Sequence, residues 1–208
     1  MLHRDKVGPE VKLPPPRERG EMSLEEAIAR RRSVREYKGE SLSLSQLSQV
    51  LWAAQGLTDA RGLRAAPSAG ATYPLEVFVL IGMDGVEGLE PGMYYYNVAN
   101  HSLNLYKGGD QRRELAIAAR DQEFIAQAPV DIVICAIYER TCMYYGPRGE
   151  RYVHMDLGHV GQNVSLQAVA LGLATVMVGA FDDEQVSAVM GLAKEVKPLY
   201  IIPLGKSN

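Results

Sequence analysis

The chain has only two cysteines in 208 residues, Cys135 and Cys142, and they form no CxxC pair. A disulfide framework is therefore not what stabilises it; a chain of this length should bury roughly 70% of its unfolded surface without such staples. Long basic blocks are also missing. Lys plus Arg number 22 against 25 Asp plus Glu, for a formal net charge of −3, which argues against nucleic acid as a partner. The opening MLHRDKVGPE lacks the apolar run of a secretory signal, and with the sparse cysteines this reads as cytoplasmic. The most apolar long stretch, residues 164–180, is interrupted by Gln167 and preceded by Asp156, His159, Gln162 and Asn163, so it reads as a buried element and not a membrane span. No GxSxG elbow, GxxxxGK[ST] phosphate loop or GxGxxG after a strand occurs. His154 and His159 are five apart, which does not place two ligands on one helical face, and no metal site is expected.

What is present is the balance of one soluble globular domain, with 47% hydrophobic and 23% charged residues. Pro9 and Pro14-Pro15-Pro16 mark residues 1–22 as an extended arm with no core of its own, free to lie across a neighbour, and residues 23–208 as a single domain. Ser23 with Glu26 is a capping-box pattern that predicts a helix to about Arg32. Residues 43–55 repeat the pattern, with Leu44, Leu47, Val50, Leu51 and Ala54 at helical spacing and Gly56 as a stop. Strands are predicted at Leu75–Ile81, as a hairpin over 93–97 and 102–106, and at 130–138, 175–178 and 200–204. Helices are predicted over 110–128 with a break near Asp121, over 153–172 and over 182–190. The elements do not alternate regularly, which favours an α+β fold over a doubly wound parallel sheet.

The helix over 153–172 carries two non-polar stripes. Leu157, Val160, Val164 and Leu171 form one; the small residues Gly158, Gly161, Ser165, Ala168 and Gly172 form the other. The first suits a sheet, while the second leaves a groove that a symmetric partner helix or a helix of the same chain could fill. Asp156, His159, Asn163 and Gln167 make a third face, whose polar groups must be paired, if only with one another.

Three segments suggest chemistry. In Arg30-Arg31-Arg32-Ser33-Val34-Arg35, helix-terminal arginines could simply complement the helix dipole, worth about 0.3–1 kcal/mol. Past the helix end, however, alternation would point Arg31, Ser33 and Arg35 to one side, a clamp suited to a phosphomonoester. Residues 66–74, APSAGATYP, form a small polar loop that is either a plain connection or a place where a flat ring can approach backbone. In VGAFDD, a buried strand meets a helix start, with Asp182 as a natural N-cap and the amides of Gly179 and Ala180 placed to meet an acceptor atom.

In order, RRSVREY, LSQLSQVLWAAQG, PSAGATYPLEVFVL, YERTCMYYGPRGERYVHMDLGHVGQNVSLQAVALGLAT, VGAFDDEQV and YIIPLG resemble the flavin-dependent nitroreductase superfamily, and within it the SagB-type dehydrogenase branch that contains thiazole and oxazole oxidases. The resemblance runs from about Leu13 to Lys206. It implies an α+β fold with a mostly antiparallel sheet flanked by helices, an intertwined homodimer, and FMN bound at sites built from both chains. Arg31, Arg32, Ser33 and Arg35 would hold the FMN phosphate and ribityl chain. Pro67, Ser68 and Ala69 of the other subunit would cover the ring, Val178, Gly179 and Ala180 would lie beside its reactive edge, and Lys206 could add a phosphate contact.

The implied activity is electron transfer from NAD(P)H through flavin N5 to an electron-poor acceptor of nitroaromatic or quinone type, with Tyr145 and Arg148 as the side chains expected to meet the acceptor. Two alternatives follow from the same resemblance: oxidation of a modified peptide azoline or other ring substrate, and a catalytically idle flavin-binding subunit of a modification complex. Peptide-azoline oxidases of this branch use adjacent lysine and tyrosine. Here Tyr145 matches the tyrosine, but Tyr144 occupies the lysine position, and a phenol does not simply replace an amine as proton acceptor at neutral pH.

Overall fold

The structure is a computed structural model that describes residues 8–207; residues 1–7 of the expected arm, and Asn208, lie outside the described residues. Strands β1 (Glu10–Lys12), β2 (Tyr37–Lys38), β3 (Leu75–Ile81), β4 (Gly92–Asn97), β5 (Ser102–Gly108), β6 (Val130–Ala136), β7 (Leu173–Thr175) and β8 (Lys197–Ser207) form one sheet. Its order is β1-β5-β4-β3-β6-β8-β2, with β7 also on β8, and every one of these pairings is antiparallel. The helices are α1 (Leu24–Arg30), α2 (Leu44–Gln55), α3 (Arg112–Ala118), α4 (Glu123–Gln127), α5 (Glu139–Tyr145), α6 (Gly149–Ala170) and α7 (Asp183–Met190). This is the expected α+β architecture.

The central strands read as unbroken apolar runs because both faces of the sheet are covered. Along β3, Val77, Val79 and Ile81 join the core under α2 and α6, whereas Phe78 and Leu80 join a second core with Leu115, Ile125 and Val186 of α3, α4 and α7. β6 and β8 divide the same way: Ile132, Ile134 and Ile202 face one core, Val133 and Ile201 the other. Each large aliphatic side chain buried here contributes about 1.5–3 kcal/mol.

Local signals set several boundaries. Ser23 Oγ accepts from the Glu26 amide at 3.1 Å, and Ser43 with Gln46 forms a complete capping box at α2, which ends at Gly56. The expected break near Asp121 separates α3 from α4, where Arg120 and Asp121 both take positive φ (61° and 58°). α5 was not anticipated; its sequence ERTCMYY offers no side-chain cap, and it is held instead by packing on α6 and by bonds to the 66–74 loop.

The described residues of the arm pack on their own chain: β1 pairs with β5, Leu13 is buried in the core, and Pro14 O accepts from Ser48 Oγ at 2.6 Å. The arginine that follows is bracketed by Gln49, whose Oε1 accepts from Arg17 N and whose Nε2 donates to Arg17 O. The small-residue stripe of α6 is also largely consumed within the chain. Ser165 and Ala168 are buried, and a Cβ on Gly161 would stand 3.2 Å from Met177 Sδ and 3.3 Å from Tyr200 Cε2, so this glycine lets β8 and the segment after β7 approach the helix. Gly158 and Gly172 remain exposed. Among the described residues no helix is long and apolar enough to cross a membrane.

Candidate functional site

The sequence-derived site residues fall into two groups. The first gathers around β2, β7 and β8. α1 ends when the Arg31 amide donates to Ala27 O at 3.0 Å, and the chain then runs extended. Val34 N donates to Thr175 O of β7 at 3.0 Å and Tyr37 Oη donates to Val34 O at 2.9 Å, so Val34 is drawn inward and its neighbours Ser33 and Arg35 are exposed. Among the described residues the Ser33 hydroxyl and the Arg31 guanidinium have no hydrogen-bond partner. Among the described residues Arg35 also pairs with no carboxylate, and it stands 5.6 Å from the Phe124 ring of α4.

Arg32 behaves differently from its neighbours. Its Nη1 turns back onto Ala29 O (3.0 Å) and Arg31 O (2.7 Å), satisfying carbonyls that the end of α1 leaves open. Lys206 of β8 is paired with Glu40 at 3.0 Å.

The same group includes residues 178–180. Val178 exchanges two backbone bonds with Ile201 of β8, at 2.9 and 3.0 Å. Gln122 Nε2 donates to Ala180 O at 2.8 Å, and Asp182 caps α7 by accepting from the Gln185 amide. Between these ties Gly179 and Ala180 are exposed, and among the described residues their amides have no acceptor. The α3–α4 corner therefore touches both Ala180, through Gln122, and Arg35, through Phe124.

The second group sits on α5 and the first half of α6. The loop before β3 has positive φ at Gly70 (59°), Ala71 (53°) and Tyr73 (45°). Non-glycine residues in such regions cost of order 1–3 kcal/mol each, so the surroundings must fix them. Tyr73 N donates to Ser68 Oγ (3.0 Å), Ser68 Oγ donates to Asp156 Oδ2 (2.6 Å), and Ala69 N donates to Asp156 Oδ1 (3.3 Å). The Thr72 and Thr141 hydroxyls are 2.8 Å apart, and Arg140 Nη1 donates to Tyr73 O at 3.1 Å while its Nη2 pairs with Glu76. Tyr95 Oη also donates to Glu76, and burial, with the adjacent carboxylate, pushes the Tyr95 phenol well above its ordinary value.

Tyr145 belongs to this group. A Cβ on Gly70 would stand 2.6 Å from its Oη, and its ring meets Tyr152 edge-on at 5.0 Å. Arg148 Nε donates to Tyr152 Oη at 2.9 Å. Tyr145 and Arg148 are thus joined through Tyr152 beside the loop that carries Pro67, Ser68 and Ala69.

The polar face of α6 does not satisfy itself. Asp156 serves the loop, Asn163 donates to Ala53 O (3.1 Å) and Ala65 O (3.3 Å), and Gln167 Oε1 accepts from Gln49 at 3.2 Å. The i, i+7, i+11 spacing of these three was visible in the sequence; their partners on α2 and the loop were not. Tyr152, Thr141 and Arg140 carried no sequence signal, because their importance depends on where α5 folds.

No hydrogen bond or ion pair among the described residues connects the two groups. A groove of about 700 Å³ between the arm, α2 and the C-terminal half of α6 is lined by none of the sequence-derived site residues.

The sequence and the fold define a family. Residues 28–206 match the nitroreductase family model, and the chain belongs to that family. Over 186 residues it is 49% identical to MJ1384 of Methanocaldococcus jannaschii, provisionally named a nitroreductase, covering 89% of this chain and 92% of the relative. It is 28% identical over 172 residues to McbC, the microcin B17-processing protein of Escherichia coli, covering 80% of this chain and 63% of McbC. The crystal structure of a provisionally named nitroreductase from Ralstonia eutropha JMP134 superposes with a TM-score of 0.83 at 28% identity, over 96% of this chain and 90% of that one. The protein is a nitroreductase-family oxidoreductase.

Members of this family generally bind FMN, and the first group fits the demands of that cofactor. A phosphate needs cationic and hydroxyl donors that are not already neutralised, and Arg31, Ser33 and Arg35 supply them. An electron-accepting ring needs donors at its edge, and the amides of Gly179 and Ala180 are free to serve.

Proposed function

We propose that the protein is an FMN-dependent homodimeric oxidoreductase that takes electrons from NAD(P)H and passes them to an electron-poor nitroaromatic or quinone acceptor. The observation that carries this reading is the division of the site: the phosphate and ring-edge donors lie in one group and the covering loop in another, joined by no bond within the chain. A second copy would supply the loop of one subunit to the donors of the other.

Arg31, Ser33 and Arg35 bind the phosphorylated tail, with Val34 fixing their register on β7. Arg32 contributes chiefly by closing α1, and Lys206 contributes only as far as Glu40 releases it. Val178, locked to β8, holds the Gly179 and Ala180 amides where they can donate to the ring edge. Pro67, Ser68 and Ala69 cover the ring and exclude water, and Tyr145 and Arg148 bound the space left for the acceptor. FMN, when bound, supplies the two-electron chemistry, and the protein supplies orientation and positive charge. No side-chain acid or base is required.

The likeness to McbC supports a second reading, a dehydrogenase acting on a modified peptide; the exposed Met143, Tyr144 and Tyr145 of α5 would offer a peptide a surface. One experiment separates the two. FMN-loaded protein is mixed with NADH or NADPH without oxygen and the flavin absorbance followed. Rapid bleaching is the expected result; no bleaching with either nicotinamide would transfer support to the peptide reading.

A further inference from the structure

The covering loop is held by a carboxylate that forms no ion pair among the described residues. Asp156 is 4% exposed, and both its oxygens are spent on the loop: Oδ2 on the Ser68 hydroxyl at 2.6 Å and Oδ1 on the Ala69 amide at 3.3 Å. The Ser68 hydroxyl has one proton, which goes to Asp156, and it accepts from Tyr73 N at 3.0 Å. Its donor is therefore unavailable to any ligand. The bonds form a relay across the loop from Tyr73 through Ser68 to α6, spanning the positive-φ residues Gly70 and Ala71. His159, one turn further along α6, adds a long contact of 3.4 Å to Pro67 O.

We infer that Asp156 is a positioning residue whose carboxylate latches residues 67–73 in the shape that covers the cofactor ring, and that the Ser68 side chain is part of this latch and not a cofactor ligand. This rests on the functional reading above for what the loop covers, but not for the latch itself. Asn at position 156 keeps the size but removes the charge and one of the two acceptor oxygens: its amide nitrogen either faces the Ala69 amide, which can only donate, or forces the Ser68 hydroxyl to give up its bond to α6 as a donor. Ala at position 68 removes the middle of the relay and leaves α6 intact.

The test uses Asp156→Asn, Ser68→Ala and the double variant, with Asn163→Ala as a control on the same helix face that does not touch residues 67–73. Amide hydrogen exchange is measured on the cofactor-free full chain, and FMN affinity and visible circular dichroism on the loaded protein. Both single variants should speed exchange at Ala69 and Tyr73 by about tenfold or more and weaken FMN binding by about tenfold, as expected for loss of a charge-assisted hydrogen bond. The dichroic signature should shift, and the double variant should be little worse than Asp156→Asn alone. Unchanged exchange at Ala69 and Tyr73, or faster exchange with FMN affinity and dichroism unmoved, would overturn the inference. Failure of the wild-type protein to bind FMN would sink the functional reading, while exchange in the cofactor-free chain would still decide the latch.

Discussion

Lys206 Nζ lies 3.0 Å from Glu40 Oε2, joining the last strand to the turn after β2. The pair is partly exposed, and hydrogen bonding to Lys206, followed by its charge, holds the Glu40 carboxyl below its ordinary value. A cation so engaged is a weaker phosphate ligand than an unpaired one. Glu40→Gln should therefore tighten FMN binding about two- to threefold at low salt, while Lys206→Met should weaken it by no more than about tenfold. Fluorescence titration at two salt concentrations checks both; equal affinities for wild type and Glu40→Gln would show that Lys206 takes no part.

The three arginines after α1 should separate by readout. Arg31→Ala and Arg35→Ala should each lower FMN affinity by about 1.5–3 kcal/mol, with a shallower salt dependence, and leave folding stability nearly unchanged. Arg32→Ala should lower stability by a few tenths of a kcal/mol and affect FMN less, because its Nη1 is occupied by Ala29 O and Arg31 O. Denaturant titration alongside FMN titration distinguishes the two patterns.

Gly70 is the point where the 66–74 loop meets Tyr145, the side chain proposed to bound the acceptor space. A Cβ at position 70 would stand 2.6 Å from Tyr145 Oη, so Gly70→Ala must displace the phenol, and the φ of 59° adds strain to the loop. Turnover of a quinone acceptor should fall by about tenfold in kcat/KM, equivalent to about 1.4 kcal/mol, with FMN still bound. Unaltered acceptor kinetics in this variant would remove Tyr145 from the acceptor site.

Asp131 is fully buried on β6, and among the described residues neither of its oxygens has a hydrogen-bond partner. Desolvation pushes its carboxyl well above the ordinary 3.8, an effect opposed by Arg112 and reinforced by Asp110. The native state therefore holds a proton that the unfolded chain releases above that ordinary value. Stability at this site falls as pH rises from about 4 toward the raised native value, and stays lower beyond it. Asp131→Asn should be more stable than wild type at neutral and alkaline pH, with the difference vanishing below about pH 4. Urea unfolding at a series of pH values reads this directly.

The α2 capping box gives a purely structural benchmark. Ser43→Ala removes the acceptor for the Gln46 amide and should cost about 1 kcal/mol of stability, with no change in FMN affinity.

Much of the fold was readable because its signals are local. β3 falls at Leu75–Ile81 as expected, since a β-branched apolar run between Pro74 and Gly82 has few other uses. Ser43 and Gln46 begin α2, and Gly56 ends it, by chemistry confined to one turn of backbone. The order of motifs also disclosed the family. Tertiary structure decided where long-range partners lie. Whether Arg32 reaches outward or back, whether Lys206 is free, and whether Asp156 serves a loop 88 residues earlier all depend on which segments the sheet brings side by side. Residue type and spacing determined that these groups would be charged and on which helical face they would stand; only chain folding, through burial that forces each polar group to find a partner, determined what each one holds.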